Sequence, residues 1–374
     1  ATVPEPPRPG ADPDAVEEAL SALESAERPL VIVGKGMAWA RAEDEVREFI
    51  ERTQLPFLAS PMGKGVMPDD DPLSVGAARS LALKEADVVF LMGARLNWIM
   101  HFGLPPRFNK DVRVVQLDIA AEEIGTNVAT EVALVGDGKA VTKQLNRALD
   151  NRQWFYPADT DWRSALKEKA DGNAATVKPM VDDDSAPAGY YRAFRDIQEW
   201  LPRDAIIIGE GANTMDIGRT QMLNYNPRSR LDAGTYGTMG IGLGFAVAAA
   251  VTNPGKAIVS VQGDSAFGFS GMEIETMARY NLPVKMIVLN NGGIGGGIGP
   301  LEKGQTVPPG ILTYGARYEK FVEALGGKGW YIEDPKDLRA ALDEAMAFDG
   351  PTLINVPLSL TSARKPQEHG WLTT

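Results

Sequence analysis

The sequence has 374 residues, 44% hydrophobic and 24% charged, with a formal net charge of −12; this leaves room for two domains of ordinary size and argues against a general basic surface for nucleic acid. Cysteine is absent and the two histidines are His101 and His369, which excludes a disulfide framework and a thiolate or multi-histidine metal site and fits a reducing, cytoplasmic setting. No apolar run approaches the roughly 20 residues that span a bilayer, because the longest candidate, Ile241 to Val251, is too short and too rich in glycine.

Four prolines fall within the first nine residues, so residues 1–11 read as an extended connector. It shows neither a starting Met nor a charged-then-apolar leader, which suggests a fragment, or one subunit of a split enzyme. Residues 12–150 make a first domain. Val16, Leu20 and Leu23 recur at helical spacing and predict a helix over Asp12 to Glu27. Strands are expected at Pro29 to Val33, Leu55 to Ala59, Ala86 to Met92, Val112 to Asp118 and Val132 to Val135. Helices fall between them at Ala42 to Thr53 and Ser80 to Glu85, and after them at Lys139 to Leu149. Between residues 151 and 187 the pattern fades, leaving a short helix among polar residues as an inter-domain crossing.

Residues 188–360 make a second α/β domain. It opens with an amphipathic helix, Tyr190 to Trp200, and a strand, Ala205 to Gly209. A glycine-rich turn and helix over Gly234 to Val251, the strand Ala257 to Gln262, the helix Gly271 to Tyr280 and the strand Val284 to Leu289 follow. The helix Tyr318 to Leu325, strand Trp330 to Ile332, helix Pro335 to Ala347 and strand Thr352 to Val356 close it, ahead of a tail over 361–374 without periodicity. Strands alternating with helices predict two doubly wound parallel-sheet domains.

Chemistry gathers between Ala257 and Gly293. Two strands end in Gly263-Asp264-Ser265 and in Asn290-Asn291-Gly292-Gly293, with 24 residues between Ser265 and Asn290. Consecutive parallel strands place their carboxyl ends side by side, where open α/β sheets bind ligands. An Asp and an Asn there can share one cation, and oxygen donors of this kind suit Mg²⁺ with phosphate oxygens and water. Gly263 allows close backbone approach, and the N–H groups after it face an anion from a helix start. Gly, Asp and Asn are equally the residues of ordinary strand-to-helix turns; it is the two halves together, at this spacing and on strands, that favour a ligand site.

Gly-Asp-Ser followed at this distance by Asn-Asn resembles the cofactor motif of the thiamine-diphosphate decarboxylase, acetolactate-synthase and lyase superfamily. The runs from Glu210 to Asp216, Gly234 to Gly240 and Gly263 to Gly271 resemble its CoA-dependent branch, which contains 2-hydroxyacyl-CoA lyase and oxalyl-CoA decarboxylase. Arg95 to Arg107 and the ending His369-Gly370-Trp371-Leu372 look like the lyase. The resemblance runs from about Pro29 to the C-terminus. It implies a Rossmann-like middle domain, a diphosphate-binding C-terminal domain, and a further N-terminal pyrimidine-binding domain or subunit that supplies the activating Glu.

The resemblance further implies that Asp264, Asn291 and the Gly293 carbonyl ligate Mg²⁺, and that Gly263, Ser265, Ala266 and Ile294 line the diphosphate of thiamine diphosphate. Met239 matches the bulky residue that bends the cofactor, Gly237 and Thr238 flank it, the Gly237 carbonyl accepts from the aminopyrimidine, and Asn213 lines the site. Without its glycine context, Met239 reads as ordinary core packing. CoA phosphates call for cations, and Arg228, Arg230, Arg364 and Lys365 are candidates, although charged pairs on loops are commonly just solvated. In the middle domain Lys35, Arg95, Asp118 and Ile119 stand at strand ends where a nucleotide such as ADP would lie, but no full G-x-G-x-x-G accompanies them. One departure is clear: after Ile294 the relatives carry Tyr, whereas this chain has Gly295-Gly296-Gly297. The implied activity is cleavage of 2-hydroxyacyl-CoA to formyl-CoA and an aldehyde, by a homodimer or homotetramer built around acyl-CoA, with no nucleic acid or membrane partner. Oxalyl-CoA decarboxylation is the alternative, and a non-catalytic CoA- or nucleotide-binding module the second.

Overall fold

Most of the strands are runs of Val, Ile and Leu too apolar to face water on either side, and in the computed structural model they form two all-parallel sheets. Residues 4–296, 301, 304–362 and 364–366 are described. The chain divides into two compact units: residues up to Ala174 with Asn224–Arg228, and Ala175–Leu223 with the chain from Ser229 onward. The linear boundaries expected at 151 and 187 miss this, since a five-residue loop of the later sequence belongs to the first unit.

In the first unit, β1 (Pro29–Val33), β2 (Phe57–Ala59), β3 (Val88–Met92), β4 (Arg113–Asp118) and β5 (Val132–Val135) stand in the order β2-β1-β3-β4-β5. In the second, β6 (Ile206–Glu210), β7 (Arg230–Leu231), β8 (Ile258–Gly263), β9 (Val284–Asn290), β10 (Lys328–Tyr331) and β11 (Thr352–Pro357) stand in the order β10-β11-β9-β8-β6-β7. Alternate residues of the second sheet feed two cores, as the two-residue period of a strand requires. Ile207, Val259, Val261, Ile287 and Ile354 pack with Phe194 and Leu338 on one face. Ile208, Ile258, Met286, Val288 and Leu353 pack with Leu243, Phe267 and Ile274 on the other. The register sets Glu210 beside Gln262, Gly263 beside Leu289 and Asn290 beside Pro357, so the carboxyl ends of four strands lie level.

Several helices differ from expectation. Asp161–Val181 is a 21-residue helix rather than a short one. It buries Trp162 and Leu166 alone in full, and so few apolar anchors leave no periodic signal to read. The helix expected over Gly271 to Tyr280 is Glu273–Arg279, and a separate helix, Asp264–Ser270, precedes it and starts at the strand end itself. Ala212–Gln221 is a helix and Arg230–Leu231 a two-residue edge strand, neither anticipated. Among the described residues no helix is long and apolar enough to cross a membrane.

Candidate active site at the carboxyl ends of β8 and β9

Asp264 follows β8 directly, and its buried carboxylate reaches across to the loop after β9. One oxygen accepts from Ser265 N at 2.8 Å and the other from Gly292 N at 2.8 Å. The two halves of the motif therefore meet. Burial pushes the Asp264 carboxyl up to about 6, against the pull of the N–H groups of Ser265, Gly292 and Gly293. A bound cation would reverse that balance by favouring the charged form.

The two asparagines divide the work. Asn290 is an anchor: its side chain spans to the Ala316 carbonyl at 3.3 Å and Asn355 at 3.4 Å. Asn291 turns the other way, and its Nδ2 donates to the Tyr190 hydroxyl at 2.9 Å and the Gly295 carbonyl at 3.0 Å. With the amide nitrogen committed, Oδ1 is the face left for a ligand, where it now accepts from Gly293 N at 3.2 Å. A carboxylate, an amide oxygen and a nearby backbone carbonyl are hard donors in the number Mg²⁺ takes from protein, so this set fits the metal. Among the described residues no group of three His, Cys, Asp or Glu stands together, which leaves amide and carbonyl oxygens to complete any site.

Tyr190, Thr214 and Glu210 were missed by sequence reasoning. The Tyr190 ring is buried at the start of helix Tyr190–Trp200. Burial, with the charge of Asp264, holds its phenol up at about 12, and its hydroxyl also meets Asn213 and Thr214. Asn213, assigned to the site, thus stands in one cluster with Asn291. No local pattern marks Tyr190 because it lies 101 residues from Asn291. Glu210 had a readable signal: a charged residue ending the strand Ile206–Glu210, whose residues are all buried.

The glycine-rich turn before helix Gly242–Thr252 carries Gly237, Thr238 and Met239. Gly237 and Gly240 adopt φ of 60° and 83°, values that favour glycine. Met239 is 38% exposed. Met239 is thus not among the buried core residues of the second unit. Ser265 is half-buried, Ala266 and Gly293 are buried, and Ile294 is 60% exposed. Of the triple glycine, Gly295 and Gly296 are described and Gly297 is not; Gly295 holds Asn291, and a Cβ at Gly296 would lie 3.5 Å from Asn213 Nδ2.

The CoA and nucleotide candidates fare unevenly. Arg230 is a correction: its side chain is fully buried with Asp232 at 3.9 Å, out of reach of a surface phosphate. Arg228 is bound to Glu43 at 2.8 Å and the Ala38 carbonyl at 2.6 Å. Arg364 pairs with Asp216 at 3.1 Å, and Lys365 N donates to the Tyr191 hydroxyl at 3.1 Å; the ending His369 to Leu372 lies outside the described residues. In the first unit Arg95 meets Asp118 at 3.3 Å and Glu123 at 2.9 Å, Asp118 is buried, and Ile119 is 59% exposed. A Cβ on Gly34, beside Lys35, would lie 2.0 Å from the Gly93 carbonyl. Close packing of β1 against the turn after β3 thus accounts for Gly34-Lys35-Gly36 without a nucleotide. Within Arg95 to Arg107, burial together with Arg79 and Arg107 pushes the His101 imidazole down to about 4.

Comparison with known proteins gives the arrangement its family. The family described as the thiamine pyrophosphate enzyme central domain matches residues 16–145, and the C-terminal TPP binding domain matches residues 211–356. The chain belongs to the thiamine pyrophosphate enzymes. It is 49% identical to human 2-hydroxyacyl-CoA lyase 1 over 382 residues, covering 98% of this chain and 66% of that protein. It is 43% identical to oxalyl-CoA decarboxylase of Escherichia coli (strain K12) over 347 residues, covering 92% of this chain and 61% of that protein. The chain thus spans about two-thirds or less of the length of these two relatives. A solved structure from Mycobacterium smegmatis, assigned to the thiamin diphosphate-dependent enzymes, superposes with a TM-score of 0.74 over 96% of this chain and 67% of that one. At 22% identity that likeness speaks for the fold alone. The doubly wound α/β reading and the match of residues 211–356 to a TPP binding domain are as expected from the sequence.

Proposed function

We propose that this thiamine pyrophosphate enzyme cleaves, or condenses to, 2-hydroxyacyl-CoA, with formyl-CoA and an aldehyde as the other side of the reaction. The convergence of the Asp264 carboxylate on the Asn291 loop carries the reading. Thiamine diphosphate supplies, when bound, the electron sink that lets a carbon–carbon bond beside a carbonyl break. In this reading Asp264, Asn291 and the Gly293 carbonyl hold Mg²⁺, and Ser265 and Ala266 meet the diphosphate. Met239 and Gly237 orient the rings, Asn213 borders the reacting end, and Arg364 and Lys365 meet CoA phosphates. The pyrimidine-binding Glu comes from a domain or subunit outside this sequence, and the working enzyme is a homodimer or homotetramer.

Oxalyl-CoA decarboxylation is the second reading, favoured by the 43% identity to the Escherichia coli decarboxylase. The purified full-length enzyme, given each thioester in turn, decides between them. We expect aldehyde and formyl-CoA from 2-hydroxyacyl-CoA. Release of CO₂ from oxalyl-CoA without aldehyde from the hydroxyacyl substrate would sink the lyase reading. A third outcome, no binding of thiamine diphosphate and Mg²⁺ by calorimetry, would favour a non-catalytic module.

A further inference from the structure

The carboxylate that ends β6 has no part in the chemistry above, yet it is fully buried. Glu210 Oε1 accepts from Gly240 N, Oε2 accepts from Gly242 N at 2.8 Å, and Ile241 N adds a third contact. Burying a carboxylate is costly unless its lone pairs are met, and burial indeed raises the Glu210 pKa against these N–H groups. The three donors are the residues that follow Met239. They also lead into helix Gly242–Thr252, whose first N–H groups have no partner within the helix and carry partial positive charge. Glu210 therefore caps that helix from a neighbouring strand. Gly242 makes the approach possible: a Cβ there would lie 2.4 Å from Glu210 Oε2 and 2.5 Å from Gln262 Nε2. On its other side the turn is braced by Phe269, whose Cβ lies 3.3 Å from the position a Gly240 Cβ would take. Phe269 belongs to the helix that starts at Asp264.

We propose that Glu210 is a positioning residue for the cofactor: it fixes the Gly237–Gly240 turn so that Met239 and the Gly237 carbonyl meet the rings while Asp264 and Asn291 hold the diphosphate. The inference rests on the cofactor reading above. It makes the two ends of the ligand respond differently to one substitution. Glu210→Gln keeps the shape but turns an acceptor into an NH₂ group facing a backbone N–H.

Calorimetry on the full-length enzyme with Mg²⁺ compares thiamine diphosphate with inorganic diphosphate. Glu210→Gln is expected to weaken thiamine diphosphate by about tenfold or more, while inorganic diphosphate stays within about twofold. Asp264→Ala is expected to lose both probes. Equal loss of both probes in Glu210→Gln would mark a merely structural role and overturn the proposal, as would no loss of either. If the wild-type full-length enzyme binds neither probe, the cofactor reading itself falls and takes this inference with it. Far-UV circular dichroism checks folding. Should Glu210→Gln lose its helical signal, Gly242→Ala, which presses on the same carboxylate from the turn, carries the same comparison with the same expected ratio.

Discussion

At the scale of single residues, the two side chains at the metal end are held by different means. Asp264 is fixed by backbone N–H groups that belong to its own helix start and to the facing loop. Asn291 depends on a side chain, the Tyr190 hydroxyl, which takes one of its two amide hydrogens at 2.9 Å. Removing that hydroxyl leaves the Gly295 carbonyl as the acceptor that remains for Nδ2, and so loosens the orientation that keeps Oδ1 toward the metal end. Tyr190→Phe is therefore expected to raise the Mg²⁺ concentration needed for half-maximal binding of thiamine diphosphate by about tenfold, or ~1.4 kcal/mol. The variant stays folded, because the ring keeps its place among buried neighbours. A magnesium titration at fixed thiamine diphosphate measures this, and an unchanged midpoint would remove Tyr190 from the site.

At the scale of elements, Lys285 shows how the sheet is closed at the end away from the site. It lies near the start of β9, almost wholly buried, and donates to the Phe348 carbonyl at 2.6 Å and the Gly350 carbonyl at 3.1 Å. These carbonyls follow helix Leu338–Ala347 and precede β11, so one ammonium ties a helix end to two strands. Lys285→Met leaves both carbonyls unmet and is expected to cost roughly 1–3 kcal/mol at neutral pH by denaturant titration. Burial pushes the Lys285 pKa down from 10.5 to about 8. Between those two values the unfolded chain binds more protons than the folded one, so the lysine's contribution to stability rises with pH across the window. Wild type should accordingly gain on Lys285→Met between pH 8 and 10.5; a gap that narrows with rising pH would refute the assignment.

Elements of this kind were unevenly legible in the sequence. Pro29–Val33, Val132–Val135 and Tyr190–Trp200 have the expected bounds, since an unbroken apolar run or a strong apolar stripe defines them. Asp161–Val181 was under-read because its length is helical while its surface is polar. A helix start after Gly263 was expected, but the bounds Asp264–Ser270 were not, because Gly268 and Gly271 break the pattern before the next helix begins at Glu273. In the site, Gly263 to Gly293 was legible because both halves sit on strand ends at a readable spacing. Arg230 was misjudged because sequence places it in a charged loop, whereas pairing with Ile207 draws it into the sheet and its side chain inward. Thr214 and Tyr190 make contacts that only folding creates, whereas Glu210 was marked by its charge at the end of an apolar strand.

At the scale of the whole molecule, each unit has its own sheet and its own core, and the groups assigned to the cofactor all belong to the second. Ligand binding stabilises the native form it binds, by about 2.7 kcal/mol at a free concentration 100 times the dissociation constant. Thiamine diphosphate with Mg²⁺ should therefore slow hydrogen exchange in peptides covering β6, β8, β9 and the Gly234–Gly240 turn, while β1, β3 and β4 stay unchanged. Hydrogen exchange with mass spectrometry reads the two units separately. The same measurement tests the nucleotide expected in the first unit. Arg95 already meets Asp118 and Glu123 there, and the Gly34 turn is filled by Gly93, so ADP alone should leave β1, β3 and β4 as they were. Slower exchange in those strands with ADP would show that Arg95 gives up its carboxylates for a phosphate and would restore the nucleotide site. Slower exchange in both units with thiamine diphosphate would mean that the cofactor's stabilisation does not stop at the unit that binds it.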